Sequence, residues 1–260
     1  MRPLIKSIAI ICVITLVGFS ASRVQASSEG DTPLPNKTWH FDGALGSFDK
    51  AALQRGFKIY KQVCSTCHSM KQMYYRDLTG LGYTGDEVKA IASEFTVMDG
   101  PNDEGEMFER AGLPSDHFVS PFANTKAAAY ANNGAVPPDL SLITKARAGG
   151  PTYVYSVLTG YEETPHDMEG KILAGQHYNK YMKGHIIAMA APLSDGIIAY
   201  EDGSPETLEQ YAEDVSTFLH WASDPHMQQR KRLGIKVFLY LLAFAGVMYA
   251  TKRKVWFDKH

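Results

Sequence analysis

A mainly α protein is predicted: one domain with long loops outside the cytoplasm, followed by a single C-terminal transmembrane helix. Three observations carry this. An uncharged apolar run stands directly behind two basic residues at the N-terminus, a longer apolar run lies near the other end, and two helix-period segments bracket a turn-dense middle. With 260 residues, 45% of them hydrophobic and 21% charged, the chain can bury one sizeable core but not two, and it is too apolar to be disordered throughout. Three cysteines are too few for a disulfide-stapled scaffold.

The elements follow in order. Arg2 and Lys6 precede apolar residues 8–19, and Val24-Gln25-Ala26 supplies small residues for cleavage, so residues 1–26 read as an export signal whose removal also removes Cys12. Asp49 is a plausible N-cap for a helix carrying Leu53, Phe57 and Tyr60 on one face, and this helix runs into a cysteine pair. Between residues 79 and 199 the periodicity weakens and turn signals crowd in: Gly100-Pro101, Asn132-Asn133-Gly134, Pro137-Pro138-Asp139 and Gly149-Gly150-Pro151. Short helices are expected over residues 86–95 and 152–158. Loops this extensive need an organiser besides chain packing.

Helical pattern returns at Ser204-Pro205-Glu206, with Ser as N-cap and Pro at the first helical position. Leu208, Tyr211, Val215, Phe218 and Leu219 form one apolar face, and an end is expected near Asp224-Pro225. Residues 233–251 are apolar apart from Lys236, whose stem can lie along lipid while its ammonium reaches the headgroups. Arg230-Lys231-Arg232 and Lys252-Arg253-Lys254 flank this span, so basic residues alone do not orient it. The export signal does, placing residues 27–229 outside the cytoplasm and a short basic tail inside, with residues 230–260 as anchor and tail.

This division exposes a charge asymmetry. Residues 27–229 hold 27 Asp and Glu against 15 Lys and Arg, a net charge of -12 within a chain whose total is only -2. Such a domain repels nucleic acid and attracts a cationic partner over distances that salt shortens. Asp99, Asp103, Glu104, Glu106 and Glu109 form one acidic cluster, and Glu162, Glu163, Asp167 and Glu169 a second.

The chemistry resides in Cys64-Ser65-Thr66-Cys67-His68, the C-x-x-C-H pattern of covalent c-type haem attachment. Two cysteines on one turn can each add to a haem vinyl group, and the next histidine is carried under the iron. Export fits this, because c-type haem is attached outside the cytoplasm. A structural zinc site would need a second pair of ligands at suitable spacing, and a thioredoxin-type pair leaves the histidine unexplained. A covalent haem would also organise the loops. For its sixth ligand Met189, in Ile187-Ala188-Met189-Ala190-Ala191, competes with Met182, His177 and His185. A methionine opposite histidine suits electron transfer, since it raises the potential and closes the iron.

Further runs carry a family resemblance. Arg55-Gly56-Phe57, Tyr60-Lys61-Gln62-Val63, Asp99-Gly100-Pro101-Asn102, Gly105-Glu106-Met107-Phe108, Asn132-Asn133-Gly134-Ala135, Pro137-Pro138-Asp139-Leu140-Ser141, Leu158-Thr159-Gly160-Tyr161 and Tyr200-Glu201-Asp202-Gly203 occur in order around the haem motif. Together they resemble cytochrome c1, the membrane-anchored c-type subunit of the quinol:cytochrome c oxidoreductase, or bc1 complex.

The resemblance implies an enlarged class I cytochrome c-like haem domain with long loops and one C-terminal anchor. It implies one haem c on thioethers from Cys64 and Cys67, with iron held by His68 and Met189. It also implies that Arg147 lies near a haem propionate, as suits a guanidinium fork, and that Tyr153 lines the haem pocket. Relatives commonly carry proline where this chain has Ala191. The implied activity is one-electron transfer from a Rieske iron–sulfur protein to a soluble c-type cytochrome, beside cytochrome b in a dimeric complex, with no bond-making catalytic residues in this chain. The expected setting is a bacterial inner membrane with the haem domain in the periplasm. A free-standing membrane electron carrier and an open-iron haem peroxidase are the rival readings.

Overall fold

The computed structural model describes residues 32–257 of the chain, so the expected export signal lies outside the described residues. Helix α1 spans Lys50–Gln62, and its N-cap Asp49 accepts the Ala51 N–H, as the sequence led one to expect. It buries Leu53, Gly56, Phe57, Ile59 and Tyr60. Helix α2 spans Gly85–Ser93 and opens on a reciprocal capping box between Thr84 and Glu87. Helix α3 (Thr125–Ala131), capped by Asn124, and α4 (Ile143–Ala146) are short, and α5 covers Pro151–Thr159 with proline in its first turn. Helix α6 covers Leu208–Ser223 and α7 covers Met227–Val255.

Helices α1 and α6 form the centre of the domain. They cross at Gly56, where an added Cβ would sit 2.2 Å from the Asp214 carbonyl oxygen and 2.6 Å from Phe218 Cβ. Only a residue without a side chain permits this approach of backbones. Phe57, Tyr60, Phe218, Phe118 and Tyr75 fill the space around the crossing with ring centroids 4.9 to 6.0 Å apart. One residue before Gly56, the Arg55 guanidinium donates to both oxygens of Asp214, at 2.8 and 2.9 Å, and to Asp202 at 2.7 Å. The Asp214 side chain is only 1% exposed, and the Tyr200 hydroxyl also donates to it at 2.9 Å. A buried carboxylate is tolerable here because its lone pairs are filled by a cation and a hydroxyl.

The start of α6 differs from the expected one. Ser204 and Pro205 precede the helix, and Thr207 is the N-cap, accepting from Gln210 N–H at 3.4 Å. The intervening residues are held by the loop before them: Glu206 accepts the Tyr200 N–H through Oε1 and the Gly196 N–H through its carbonyl, while Leu208 N–H donates to Asp195. Those tertiary bonds outcompete the local start signal.

Two short antiparallel hairpins were not anticipated. Strand β1 (Thr96–Asp99) pairs with β2 (Phe108–Ala111), and β3 (His177–Tyr178) pairs with β4 (Ile186–Ile187). They are too short for alternation to register in sequence. The first acidic cluster occupies the β1–β2 hairpin, where Asp103, Glu104, Glu106 and Glu109 are exposed. Asp99 differs from them, because Arg110 binds it together with Asp116 and holds both carboxyls below their ordinary range.

Helix α7 is long and apolar enough to cross a bilayer. Its 29 residues would extend about 44 Å at ~1.5 Å each, so it exceeds the span read from hydropathy at both ends. Its first turn is clamped to the domain. Asp224 accepts two bonds from Arg230 and one from Lys145 at 3.2 Å, and Lys231 Nζ donates to the Phe41 and Gly46 carbonyls at 2.6 and 3.2 Å. Met227 belongs to the core, whereas residues 232–257 are exposed in the isolated chain. A chain ending after Gln229 therefore keeps the whole core. It is expected to leave washed membranes as a soluble, haem-staining domain, and retention in the pellet would show a second attachment.

Candidate haem-attachment site

The end of α1 sets the geometry of the motif. Val63 closes the helix with its N–H on the Ile59 carbonyl, and Cys64–Thr66 then form one turn of 3-10 helix. The Cys64 carbonyl accepts from Cys67 N–H at 3.1 Å and from His68 N–H at 2.8 Å. All three motif side chains are thus carried by a single closed turn. Tyr60, on the preceding helix, donates its hydroxyl to the His68 carbonyl at 3.2 Å.

The imidazole of His68 is oriented by a loop seventy residues away. His68 Nδ1 stands 2.8 Å from the Pro138 carbonyl oxygen. A carbonyl can only accept, so Nδ1 carries the proton and Nε2 keeps its lone pair for a metal. Burial holds His68 below the ordinary imidazole value and opposes a second proton. Asp139 secures the loop: its carboxylate accepts from Ser69 Oγ at 2.7 Å, Lys71 N–H at 2.9 Å and Ser141 N–H at 2.9 Å. Leu140 N–H returns to the Ser69 carbonyl at 2.8 Å. Pro138 and Asp139 stood out in the sequence only as a turn and a family run. Their action on His68 has no sequence-local signal, because the partners meet through tertiary structure.

The alternatives for the cysteine pair can be weighed on the same geometry. Both thiols are free and half-buried. Burial pushes the Cys64 thiol up to about 12, the opposite of the lowered value that a redox-active or metal-binding thiolate requires. Among the described residues no group of three or more His, Cys, Asp or Glu side chains could hold a metal ion. Two free cysteines and one oriented Nε2 on a single turn fit covalent capture of a haem.

The other expected residues occupy the surrounding loops. Arg147 is half-buried at the end of α4, its N–H on the Ile143 carbonyl, and Gly149 and Gly150 at φ +85° and +56° turn the chain from there into α5. Tyr153 is buried on α5, and its hydroxyl donates to Met182 Sδ at 3.3 Å. His177 belongs to β3, and His185 lies against Tyr178 with Nδ1 at 3.1 Å from the Lys180 carbonyl. Met189, two residues beyond β4, is half-buried, and its carbonyl accepts the Tyr161 hydroxyl at 3.0 Å. Burial keeps that hydroxyl protonated. In the sequence Tyr161 stands only in the run Leu158-Thr159-Gly160-Tyr161, which carries no sign of this contact.

The mainly α fold, the C-x-x-C-H turn with its oriented histidine and the apolar terminal helix define a class, the membrane-associated c-type haem proteins. Comparison with known proteins narrows it: residues 39–259 match the cytochrome C1 family, and the chain belongs to that family. It is 48% identical over 240 residues to cytochrome c1 1, a mitochondrial heme protein of Arabidopsis thaliana, covering 92% of this chain and 78% of that protein. To cytochrome c1 of Rhodospirillum rubrum it is 44% identical, over 90% of this chain and 92% of that protein. To cytochrome b/c1 of Bradyrhizobium diazoefficiens it is 48% identical over 98% of this chain, yet it spans only 40% of that longer protein.

Proposed function

We propose that this chain is the haem-bearing electron carrier of a bc1 complex, taking single electrons from a Rieske iron–sulfur protein and delivering them to a soluble c-type cytochrome. One haem c is joined to Cys64 and Cys67 as thioethers, and His68 Nε2 and Met189 Sδ hold its iron. The group supplies a one-electron couple when bound, and this chain's residues determine its setting. The single observation that supports the reading is the His68 Nδ1–H bond to Pro138, which leaves the lone pair of the other ring nitrogen available to a metal. Tyr60, Ser69 and Asp139 hold that turn and loop together so that the ligand need not reorganise with each electron. Arg147 offers its guanidinium to a propionate and Tyr153 lines the pocket. No residue of this chain makes or breaks substrate bonds, and the quinol–cytochrome c reductase activity is that of the complex.

In this reading residues 1–26 are removed on export, residues 27–229 form the periplasmic haem domain of a bacterial inner-membrane protein, and residues 230–260 form its anchor and cytoplasmic tail. The anchor lies beside cytochrome b in a dimeric complex within the lipid bilayer. The test is copurification from native membranes in mild detergent: b-type haem and quinol-dependent cytochrome c reduction should travel with this haem-staining chain. Arrival of the chain alone would leave a free-standing carrier.

The exposed acids of the β1–β2 hairpin suit attraction of a basic cytochrome, where speed of encounter matters more than tight binding. Neutralising Asp103, Glu104 and Glu106 together is expected to slow cytochrome c reduction at low salt by roughly tenfold, with the difference closing as ionic strength rises. Stopped-flow rates across a salt series measure this. A deficit independent of salt would remove these residues from the encounter.

A further inference from the structure

The segment that bears Met189 leaves and returns past the end of α5. Gly160 lets the two chains touch, since a Cβ there would stand 2.6 Å from Tyr181 Cδ2 and 3.1 Å from Asn179 Oδ1. The Gly160 carbonyl accepts the Lys180 N–H at 2.8 Å, and Tyr161 forms a single antiparallel bridge with Asn179. Asn179 is fully buried. Its amide donates to the Val157 carbonyl at 2.8 Å and accepts the Tyr181 N–H at 3.1 Å, which fixes the start of the excursion on α5. At the far end, the Tyr161 hydroxyl meets the Met189 carbonyl at 3.0 Å. One residue therefore touches the segment twice, through its backbone at Asn179 in the β3–β4 connection and through its side chain beyond β4.

We propose that Tyr161 is a positioning residue for Met189, its hydroxyl holding the main chain of that residue so that the thioether stays on the iron in both oxidation states. The proposal rests on the assignment of Met189 as distal ligand. Beyond Ile187 the described structure gives no strand pairing until the chain reaches the domain core at Leu193. In that interval the Tyr161 bond fixes the height of the Met189 backbone relative to α5. A loop released at this point has more conformations in which the sulfur is off the iron, and the entropy of those states favours detachment.

The experiment uses the full-length haem-loaded chain in detergent and compares wild type, Tyr161→Phe and Met189→Leu. Phenylalanine fills the same half-buried volume and removes only the hydroxyl. Four readouts are taken on each sample: haem stain after denaturing electrophoresis, Tm, midpoint potential, and carbon monoxide binding by the reduced protein. A fifth, the weak near-infrared band that marks methionine sulfur on ferric haem, reports ligation directly. Tyr161→Phe is expected to keep its haem and to raise the population with methionine detached by roughly two- to tenfold, the worth of one net hydrogen bond. That gain would appear as more carbon monoxide binding, a weaker band and a lower potential. A change in Tm alone, with ligation readouts equal to wild type, would overturn the proposal and leave Tyr161 a structural residue. Met189→Leu separates the two ideas. If it too leaves potential and band unchanged, the ligand assignment itself fails and the role of Tyr161 falls with it.

Discussion

Replacing Met189 with leucine is expected to lower the midpoint potential by on the order of 0.2 V, within the roughly 0.8 V range that axial ligands command, while the haem stays covalently attached. A thioether is a soft, neutral donor that favours the ferrous ion, so its loss stabilises the ferric state and opens the iron to carbon monoxide. Leucine is close to methionine in volume, so a change of potential would not follow from collapse of the fold. The rival methionine is differently engaged: Met182 receives the Tyr153 hydroxyl on its sulfur, whereas Met189 is secured through its main chain. Redox titration of solubilised protein beside a haem-stained gel measures both halves of the expectation. An unchanged potential would move the sixth position to another residue.

The largest effect on stability is expected at the helix crossing. Gly56→Val would drive a branched side chain into the Asp214 carbonyl and Phe218, which are 2.2 and 2.6 Å from the position of its Cβ. Neither neighbour is the free end of a flexible side chain, so α1 and α6 must separate. Overpacking of this kind costs about 1–3 kcal/mol or more, which outweighs the few tenths that valine gains over glycine in helix propensity. A cost of about 2 kcal/mol would lower Tm by roughly 4–8 °C in a domain of this size. The shift also pulls Arg55 from Asp214 and moves the C-terminal end of α1, from which Cys64 follows, so haem incorporation should fall as well. Gly85→Ala at the start of α2 is the matched control, because an added Cβ meets nothing within 4 Å there. Thermal unfolding of both variants checks the contrast, and equal behaviour would mean that the crossing yields cheaply.

Much of this was legible in the chain as written. The cap and apolar face of α1 follow from Asp49, Leu53, Phe57 and Tyr60, whose spacing acts within one helix. The apolar C-terminal helix follows from a length broken only by Lys236 between basic clusters, and the C-x-x-C-H pattern is legible because both cysteines and the histidine lie within one turn of backbone. The start of α6 lies a few residues beyond the Ser204-Pro205 signal because Glu206 and Leu208 bond to a loop rather than to their own helix. The hairpin carrying the acidic cluster was invisible since four residues are too few to alternate, and Arg110 showed no sign in sequence that it would withdraw Asp99 from that cluster.

By itself, then, the sequence determined the helical class, the apolar C-terminal helix, the C-x-x-C-H motif and the acidic balance of residues 27–229. Each of these is a property of neighbours in the chain, set by local sterics, by length or by charge that sums regardless of fold. Only the tertiary structure decided that Pro138 orients His68, that Asp139 ties that loop to the C-x-x-C-H turn, that Gly56 is the crossing point of α1 and α6, and that Tyr161 grips the Met189 main chain. These are hydrogen bonds and close approaches between residues far apart in sequence, and their energies depend on distance and direction in space, which spacing along the chain does not encode.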